Sequence, residues 1–270
     1  MKKNKQRRLI VPILFIACLL GLAYSVFNIL LWKFDSDKVD SQIDLINKTA
    51  GVTEVADSEK TQNINSPADG ANPYWDYIKI PLINVDLTGL KKINSDTKGW
   101  IQVRGTNINF PFVQSTNNDF YLTHSFEKSH NQAGWVFLDY RNNINNLNSN
   151  SILYAHGRVG DTMFGTLKNI ISSNWYSNKD NHIIRLSAEY ENTLWQVFSV
   201  YKIETTNDYL QTSFSTKADY QSFLEKIKSR SALNFDVSLN PEDKILTLST
   251  CYNKTEKVVM HAKLIKRETK

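Results

Sequence analysis

Cys251 closes the run Lys244-Ile245-Leu246-Thr247-Leu248-Ser249-Thr250-Cys251, and it is the sole cysteine outside an apolar N-terminal segment. That segment implies export, and structural cysteines of exported proteins come in pairs. A single thiol at the end of a strand-like run reads instead as a nucleophile. A cysteine attacks as thiolate, a form that a neighbouring histidine or cation favours. His156 ends the run Ser151-Ile152-Leu153-Tyr154-Ala155 and is followed by Gly157, so its side chain is expected at a rim that substrates can reach. Lys257 opens the next apolar run, six residues after Cys251, and antiparallel pairing would bring the two to one sheet edge. Nucleophile, proton carrier and positive charge are the parts that acyl transfer needs. The plainer readings are a buried structural thiol and a solvated lysine.

The other histidines fit no such role. His261 alternates with Val259 and Lys263 within a strand pattern, His124 and His130 flank a loop, and His182 begins a strand. No pair has metal-ligand spacing, and there is no Gly-x-Ser-x-Gly elbow and no phosphate loop. No cofactor or metal is expected.

These residues need a framework of strands. The expected strands are Gly99 to Val103, Phe110 to Gln114, Ala133 to Asp139, Ile152 to His156, His182 to Leu186, Leu194 to Ile203, Lys244 to Cys251 and Lys257 to Ile265. Pro111 suggests that the second is an edge strand or starts there. About eight strands suffice for a barrel or sandwich. Helices are expected over Leu87 to Asn94, capped by Asp86, and over Thr162 to Ile170. The clearest is Lys217 to Ser229, where Tyr220, Phe223, Leu224 and Ile227 repeat at helical spacing and Ser215 or Thr216 caps. The Asn-rich run Asn142 to Asn150 reads as one surface loop.

The 270-residue chain carries 32 Lys+Arg against 27 Asp+Glu, a net charge of +5. Lys2, Lys3, Lys5, Arg7 and Arg8 account for that excess, so the remainder is neutral and presents no nucleic-acid footprint. The uncharged stretch Leu9 to Trp32 is long enough for a bilayer, which takes roughly 20 apolar residues. With the basic cluster held inside, the rest is translocated. A cleavable signal peptide is the rival reading, but no small-x-small cleavage site follows. Cys18 reads as a lipid- or helix-facing residue. The expected organisation is a cytoplasmic tail (1–8), a transmembrane anchor (9–32), an extracellular stalk (33–72) and a catalytic domain (73–270). Within the stalk, Val39, Ile43 and Ile46 suggest a short amphipathic helix, and the polar residues 51–72, with Pro67 and Gly70, an exposed linker.

The segment Thr247-Leu248-Ser249-Thr250-Cys251 resembles the TLxTC signature of sortases, the cysteine transpeptidases of Gram-positive cell surfaces. Asn94-Ser95-Asp96-Thr97-Lys98-Gly99-Trp100, Gly105 to Pro111, Asn118-Asp119-Phe120-Tyr121-Leu122, Gly134 to Asp139 and Tyr154-Ala155-His156-Gly157 resemble class B in particular. The likeness covers roughly Asp86 to Lys266. It implies a mainly β fold: an eight-stranded sortase-type barrel with N-terminal helices and a long helix between the last strands, beside the transmembrane helix. It also implies that Cys251 forms a thioester at an Asn-Pro-x-Thr-x-like C-terminal sorting signal. His156 would serve as acid and then base, and a peptidoglycan amine or its lipid-linked precursor would resolve the thioester.

One departure stands out. The family has an arginine at the start of the last strand, and the matching position here is Lys257, which lacks the planar guanidinium fork. The charge then comes from Lys257 itself, from Arg158 beside His156, or is missing in a weak or inactive relative. By the same resemblance Asn118, Leu122, Tyr154, Thr205, Tyr209, Leu210 and Ser249 contact substrate, and Tyr209 and Leu210 suit a proline-containing peptide. No cofactor is implied. The rival functions are a hydrolytic cysteine peptidase or amidase and a non-catalytic binding protein of the same fold.

Overall fold

The computed structural model describes residues 2–70, 72–158 and 160–270, with side chains from Val11 onward. The basic side chains of Lys2, Lys3, Lys5, Arg7 and Arg8 therefore lie outside the described ones. The chain divides into two compact units, residues 1–42 and 43–270. Helix α1 (Lys2–Ala50) makes up the described part of the first and continues into the second. No glycine or proline interrupts residues 33–50, so the short separate helix expected there is a continuation of the long one. Gly51, at φ +52°, ends it in the left-handed conformation that glycine adopts without a Cβ clash. Val11–Ala50 is the one helix among the described residues that is long and apolar enough to cross a membrane. Within it Ser25 Oγ donates to the Gly21 carbonyl and Asn28 Nδ2 to that of Tyr24, so neither polar group needs water.

The second unit opens with β1 (Thr53–Val55), β2 (Thr61–Asn63), α2 (Tyr74–Tyr77), β3 (Leu82–Asn84) and α3 (Thr88–Ile93). Then come β4 (Thr97–Val103), β5 (Asn109–Val113), a 3₁₀ turn (Phe120–Leu122), β6 (Phe137–Leu138) and β7 (Asn150–Tyr154). After further 3₁₀ turns and α4 (Ser173–Ser177) follow β8 (Ile183–Ala188), β9 (Glu191–Glu204), α5 (Lys217–Ser229), β10 (Ile245–Cys251) and β11 (Glu256–Thr269). The strand order β10-β7-β6-β5-β4-β8-β9-β11 is closed by β10 pairing with β11, which makes an eight-stranded barrel. Register shifts between β9 and β11, at His261/Ala262 and Leu264/Lys266, bend these fourteen-residue strands so that they can wrap. Trp100, Trp135 and Trp195 are fully buried in the core, where truncating such a side chain costs about 3–5 kcal/mol. Helix α5 occupies the expected residues, with a capping box between Thr216 and Asp219, and buries Tyr220, Phe223, Leu224 and Ile227.

Several local expectations fail for identifiable reasons. The stretch expected as linker supplies β2, which pairs antiparallel with the end of β11, and β1, which pairs with β3. The apolar run Ala133 to Asp139 is mostly a buried loop. Gly134 turns it at φ +61° against the Tyr121 carbonyl, and only Phe137–Leu138 forms strand. Thr162 to Ile170 tightens into a 3₁₀ turn over Gly165–Asn169. Pro111 is not on an edge strand: β5 lies between β4 and β6. It is tolerated because β5 meets β6 only at Val113↔Phe137, and Trp135 Nε1 donates to the Pro111 carbonyl.

Candidate active site

Register brings the reactive groups together. Strands β7 and β10 run parallel with Ser249 opposite Tyr154. Two residues beyond each lie Cys251 and His156, at the same end of the barrel. Strands β10 and β11 run antiparallel with Cys251 opposite Lys257. The turn between them is held by Asn253 Oδ1, which accepts from the backbone N–H groups of Thr255 and Glu256. Lys257 Nζ lies 3.0 Å from Cys251 Sγ. The contact sets a side-chain amine against the sulfur of a residue type that attacks as thiolate.

The His156 turn is pressed onto β10, the strand that ends in Cys251. Thr250 Oγ1 donates to the Ala155 carbonyl at 2.8 Å and Lys168 Nζ to that of Gly157 at 2.7 Å. A Cβ at Gly157 would collide with the backbone carbonyl of Cys251, so only glycine allows this approach. His156 Nε2 lies 2.7 Å from the Leu122 carbonyl. A carbonyl only accepts, so Nε2 carries a proton, and in the neutral ring Nδ1 is the nitrogen left to accept one.

A cleft of about 420 Å³ is lined by Cys251, His156 and Lys257, and also by Asn118, Leu122, Tyr154, Thr205, Tyr209, Leu210 and Ser249. The three expected catalytic residues and the seven expected substrate contacts thus border one hollow. Arg158, the alternative cation, does not line it; Lys257 does. Two larger surface hollows, of about 530 and 570 Å³, contain no cysteine or histidine.

The walls are tied together by side chains. Tyr209 OH hydrogen-bonds Ser249 Oγ at 2.9 Å, and burial pushes its phenol above the ordinary range, with the Cys251 sulfur adding to the rise. Thr205 N–H and Oγ1 both donate to the Thr255 carbonyl. Asp208 is clasped by both terminal guanidinium nitrogens of Arg230, which hold its carboxyl down at about 2. Asn118 accepts from the Tyr140 N–H and donates to Asp139. Burial pushes the Tyr154 phenol up, and the negative Asp139 beside it adds to this. The sequence reading missed Asp139, Arg141, Asp208, Arg230 and Lys168. For Asp139 the signal was its place at the end of the Gly134 to Asp139 block; the others carried none.

The remaining histidines lie elsewhere. His124 stacks on Phe120, His182 is buried among Tyr77, Trp175 and Phe235, and His261 is buried in the barrel against Tyr201 and Thr247. Among the described residues no three His, Cys, Asp or Glu side chains are grouped to hold a metal ion.

Residues 101–265 match the family model of the Sortase domain. A protein of Staphylococcus aureus (strain NCTC 8325 / PS 47) named Sortase B is 43% identical over 182 residues, which are 66% of this chain and 73% of that protein. Sortase B of Listeria monocytogenes serovar 1/2a (strain ATCC BAA-679 / EGD-e) is 32% identical over 188 residues, covering 67% and 74%. Among solved structures, the S. aureus sortase B–substrate complex superposes with a TM-score of 0.62 at 41% identity, over 66% of this chain and 83% of that one. A Bacillus anthracis protein similar to sortase B reaches 0.68 at 31% identity, over 87% and 98%. With the closed eight-stranded barrel and the cysteine at the end of its penultimate strand, these matches show that the chain belongs to the sortase family, class B, and is a cysteine transpeptidase.

Proposed function

We propose that this transpeptidase cleaves an Asn-Pro-x-Thr-x-like signal at the C-terminus of secreted proteins and joins the threonine carbonyl to a cell-wall amine. The Cys251 thiol passes its proton to His156 Nδ1, the thiolate attacks that carbonyl, and the tetrahedral adduct collapses to a thioester as the C–N bond breaks. His156 gives a proton to the departing amine and takes one from the incoming amine, whose attack then expels the thiolate. Lys257, in contact with Cys251 Sγ, faces the negative charge that develops on the carbonyl oxygen. Asn118, Leu122, Tyr154, Thr205, Tyr209, Leu210 and Ser249 form the peptide-binding walls. The observation that carries this reading is the 3.0 Å contact of Lys257 Nζ with Cys251 Sγ in the cleft that His156 also lines.

Residues 9–32 anchor the chain in the membrane, with residues 1–8 in the cytoplasm, 33–72 as an extracellular stalk and 73–270 as the catalytic domain on the outer face. The apolar helix Val11–Ala50 supports a single span. The amine donor is peptidoglycan or its lipid-linked precursor.

The test uses the full-length chain in detergent with a sorting-signal peptide, with and without an amine acceptor, followed by mass spectrometry. Amide product is expected with the amine present. Acid as the sole product in both arms would make the chain a hydrolase. Absence of any adduct on Cys251 would leave a binding protein.

A further inference from the structure

Asp139 follows β6, is fully buried and does not line the cleft, yet it is bonded to three parts of its wall. Its Oδ2 accepts from Asn118 Nδ2 at 3.0 Å, from Tyr154 OH at 2.9 Å and from Arg141 Nη2 at 2.7 Å. Its Oδ1 accepts from the Arg141 backbone N–H at 3.0 Å and from Arg141 Nε at 2.8 Å. The same Arg141 Nη2 donates to the Leu210 carbonyl at 2.9 Å. One carboxylate thus joins the segment before the 3₁₀ turn (Asn118), the end of β7 (Tyr154) and the β9–α5 loop (Leu210), which adjoin in space and are distant in sequence. Burial alone would raise its carboxyl, but the bonds from Arg141, Tyr154 and Asn118 outweigh that and hold it below the usual range. Cys251 and Lys257 are held instead by the β10–β11 ladder.

We propose that Asp139 is a positioning residue that sets the shape of the peptide-binding cleft by holding Asn118, Tyr154 and, through Arg141, Leu210 at fixed separation. This rests on the reading that the cleft takes a peptide. The carboxylate is needed as an acceptor on both oxygens. An amide at this position offers one acceptor and turns an N–H₂ toward groups that can only donate or must reorient to accept. A buried acceptor with this many donors is in consequence more sensitive to loss of its charge than to loss of its volume.

The test measures sorting-peptide turnover, with amine acceptor, for the full-length chain in detergent carrying Asp139→Asn or Arg141→Lys. The second keeps a charge beside Asp139 but cannot span both Asp139 and the Leu210 carbonyl with one planar group. Asp139→Asn is expected to raise KM roughly tenfold or more with kcat within about threefold, since only binding geometry is altered. Arg141→Lys should raise KM by about two- to fivefold, because one arm of three is lost. Alkylation of Cys251 by iodoacetamide, which needs no peptide cleft, should proceed at the wild-type rate in both. An unchanged KM in Asp139→Asn overturns the proposal. So does a joint fall of kcat and alkylation rate, which would mark a general structural role. If Asp139→Asn does not fold, Tyr154→Phe and Asn118→Ala each detach one arm, and wild-type KM in both overturns it equally. Turnover absent from the wild-type chain itself would sink the peptide reading and this proposal together, whereas turnover with an unmoved KM sinks this proposal alone.

Discussion

The two walls of the cleft are built by different physics. On one side, Cys251 and Lys257 are fixed by a backbone ladder running from Ile245↔Lys263 to Cys251↔Lys257. On the other, Asn118, Leu122 and residues 205–210 sit on turns held by side-chain hydrogen bonds through Asp139, Arg141, Asp208 and Tyr209. A ladder is cooperative, and one position cannot slip without the rest. A side-chain bond contributes about 1 kcal/mol net and can be lost singly. The positions of Cys251 and Lys257 are therefore set by the fold itself, while the turn-borne wall can vary without disturbing them.

The largest effects should come from the ladder side and the turn pressed against it. On the proposed mechanism Cys251→Ala removes the nucleophile and His156→Ala the proton carrier, so each should lower transpeptidation by more than about 10³-fold, as single losses from such a unit do. Peptide binding to either variant, measured by fluorescence anisotropy, should persist. Lys257→Ala should cost about 10²-fold, the worth of one oxyanion-type interaction of about 3 kcal/mol. Lys257→Arg should remain active, and an unchanged rate in Lys257→Ala would remove that residue from the chemistry. Gly157→Ala forces the His156 turn off the Cys251 carbonyl, and a displacement of about 1 Å can cost up to 10²-fold in kcat with little change in KM. Wild-type kcat in that variant would show that the contact between turn and strand does not set the geometry.

The same division decides what could be read from the sequence. The ladder side and the long helix α5 were legible. Ile245–Cys251 and Lys217–Ser229 carry strand and helix patterns in their own residues, and the six-residue step from Cys251 to Lys257 implied their pairing. Strand β2 was not legible, because Thr61–Asn63 is short, polar and without alternation and joins β11 through backbone groups that any sequence possesses. Nor was the loop at Ala133–Val136, whose apolar side chains are buried as a strand's would be, while Gly134 sets the turn. The family resemblance singled out the cleft residues one by one. It left open what holds them, since Asp139 meets Asn118, Arg141, Tyr154 and, at one remove, Leu210 only once the barrel has closed.

Weaker perturbations should separate the walls more finely. Arg230 clasps Asp208 in the loop that carries Tyr209 and Leu210, and Lys226 Nζ donates to the Asp208 carbonyl. Asp208→Asn should raise KM by roughly two- to fivefold and leave kcat unchanged, because the clasp is part-exposed and such pairs are worth about 1 kcal/mol or less. A fall in kcat with KM constant would place this loop with the chemistry rather than with binding.

The smallest effect on activity, and a clear one on stability, should come from His261, on β11 opposite Thr247 of β10. Its ring accepts or donates between Tyr201 OH and Thr247 Oγ1, both at 2.8 Å, and burial, with Arg230 adding, lowers it to about 3. In the unfolded chain a histidine titrates near 6.5, so below that pH the unfolded state binds a proton that the folded state refuses. The stabilising contribution is complete above about pH 6.5 and is lost as pH falls toward 3; between pH 8 and pH 5 the loss is about 2 kcal/mol. His182, lowered chiefly by its burial, adds to the slope with the same sign. Asp139 and Asp208, both held below the usual carboxylate range, contribute losses of the same direction only at lower pH. His261→Gln retains a polar group between Tyr201 and Thr247 but cannot titrate. Its urea midpoint should be lower than wild type at pH 8, yet the drop between pH 8 and pH 5 should be smaller, with peptide turnover at pH 8 within about threefold of wild type because the residue lies outside the cleft. An undiminished drop would mean that the ladder side draws its acid sensitivity from groups other than this imidazole.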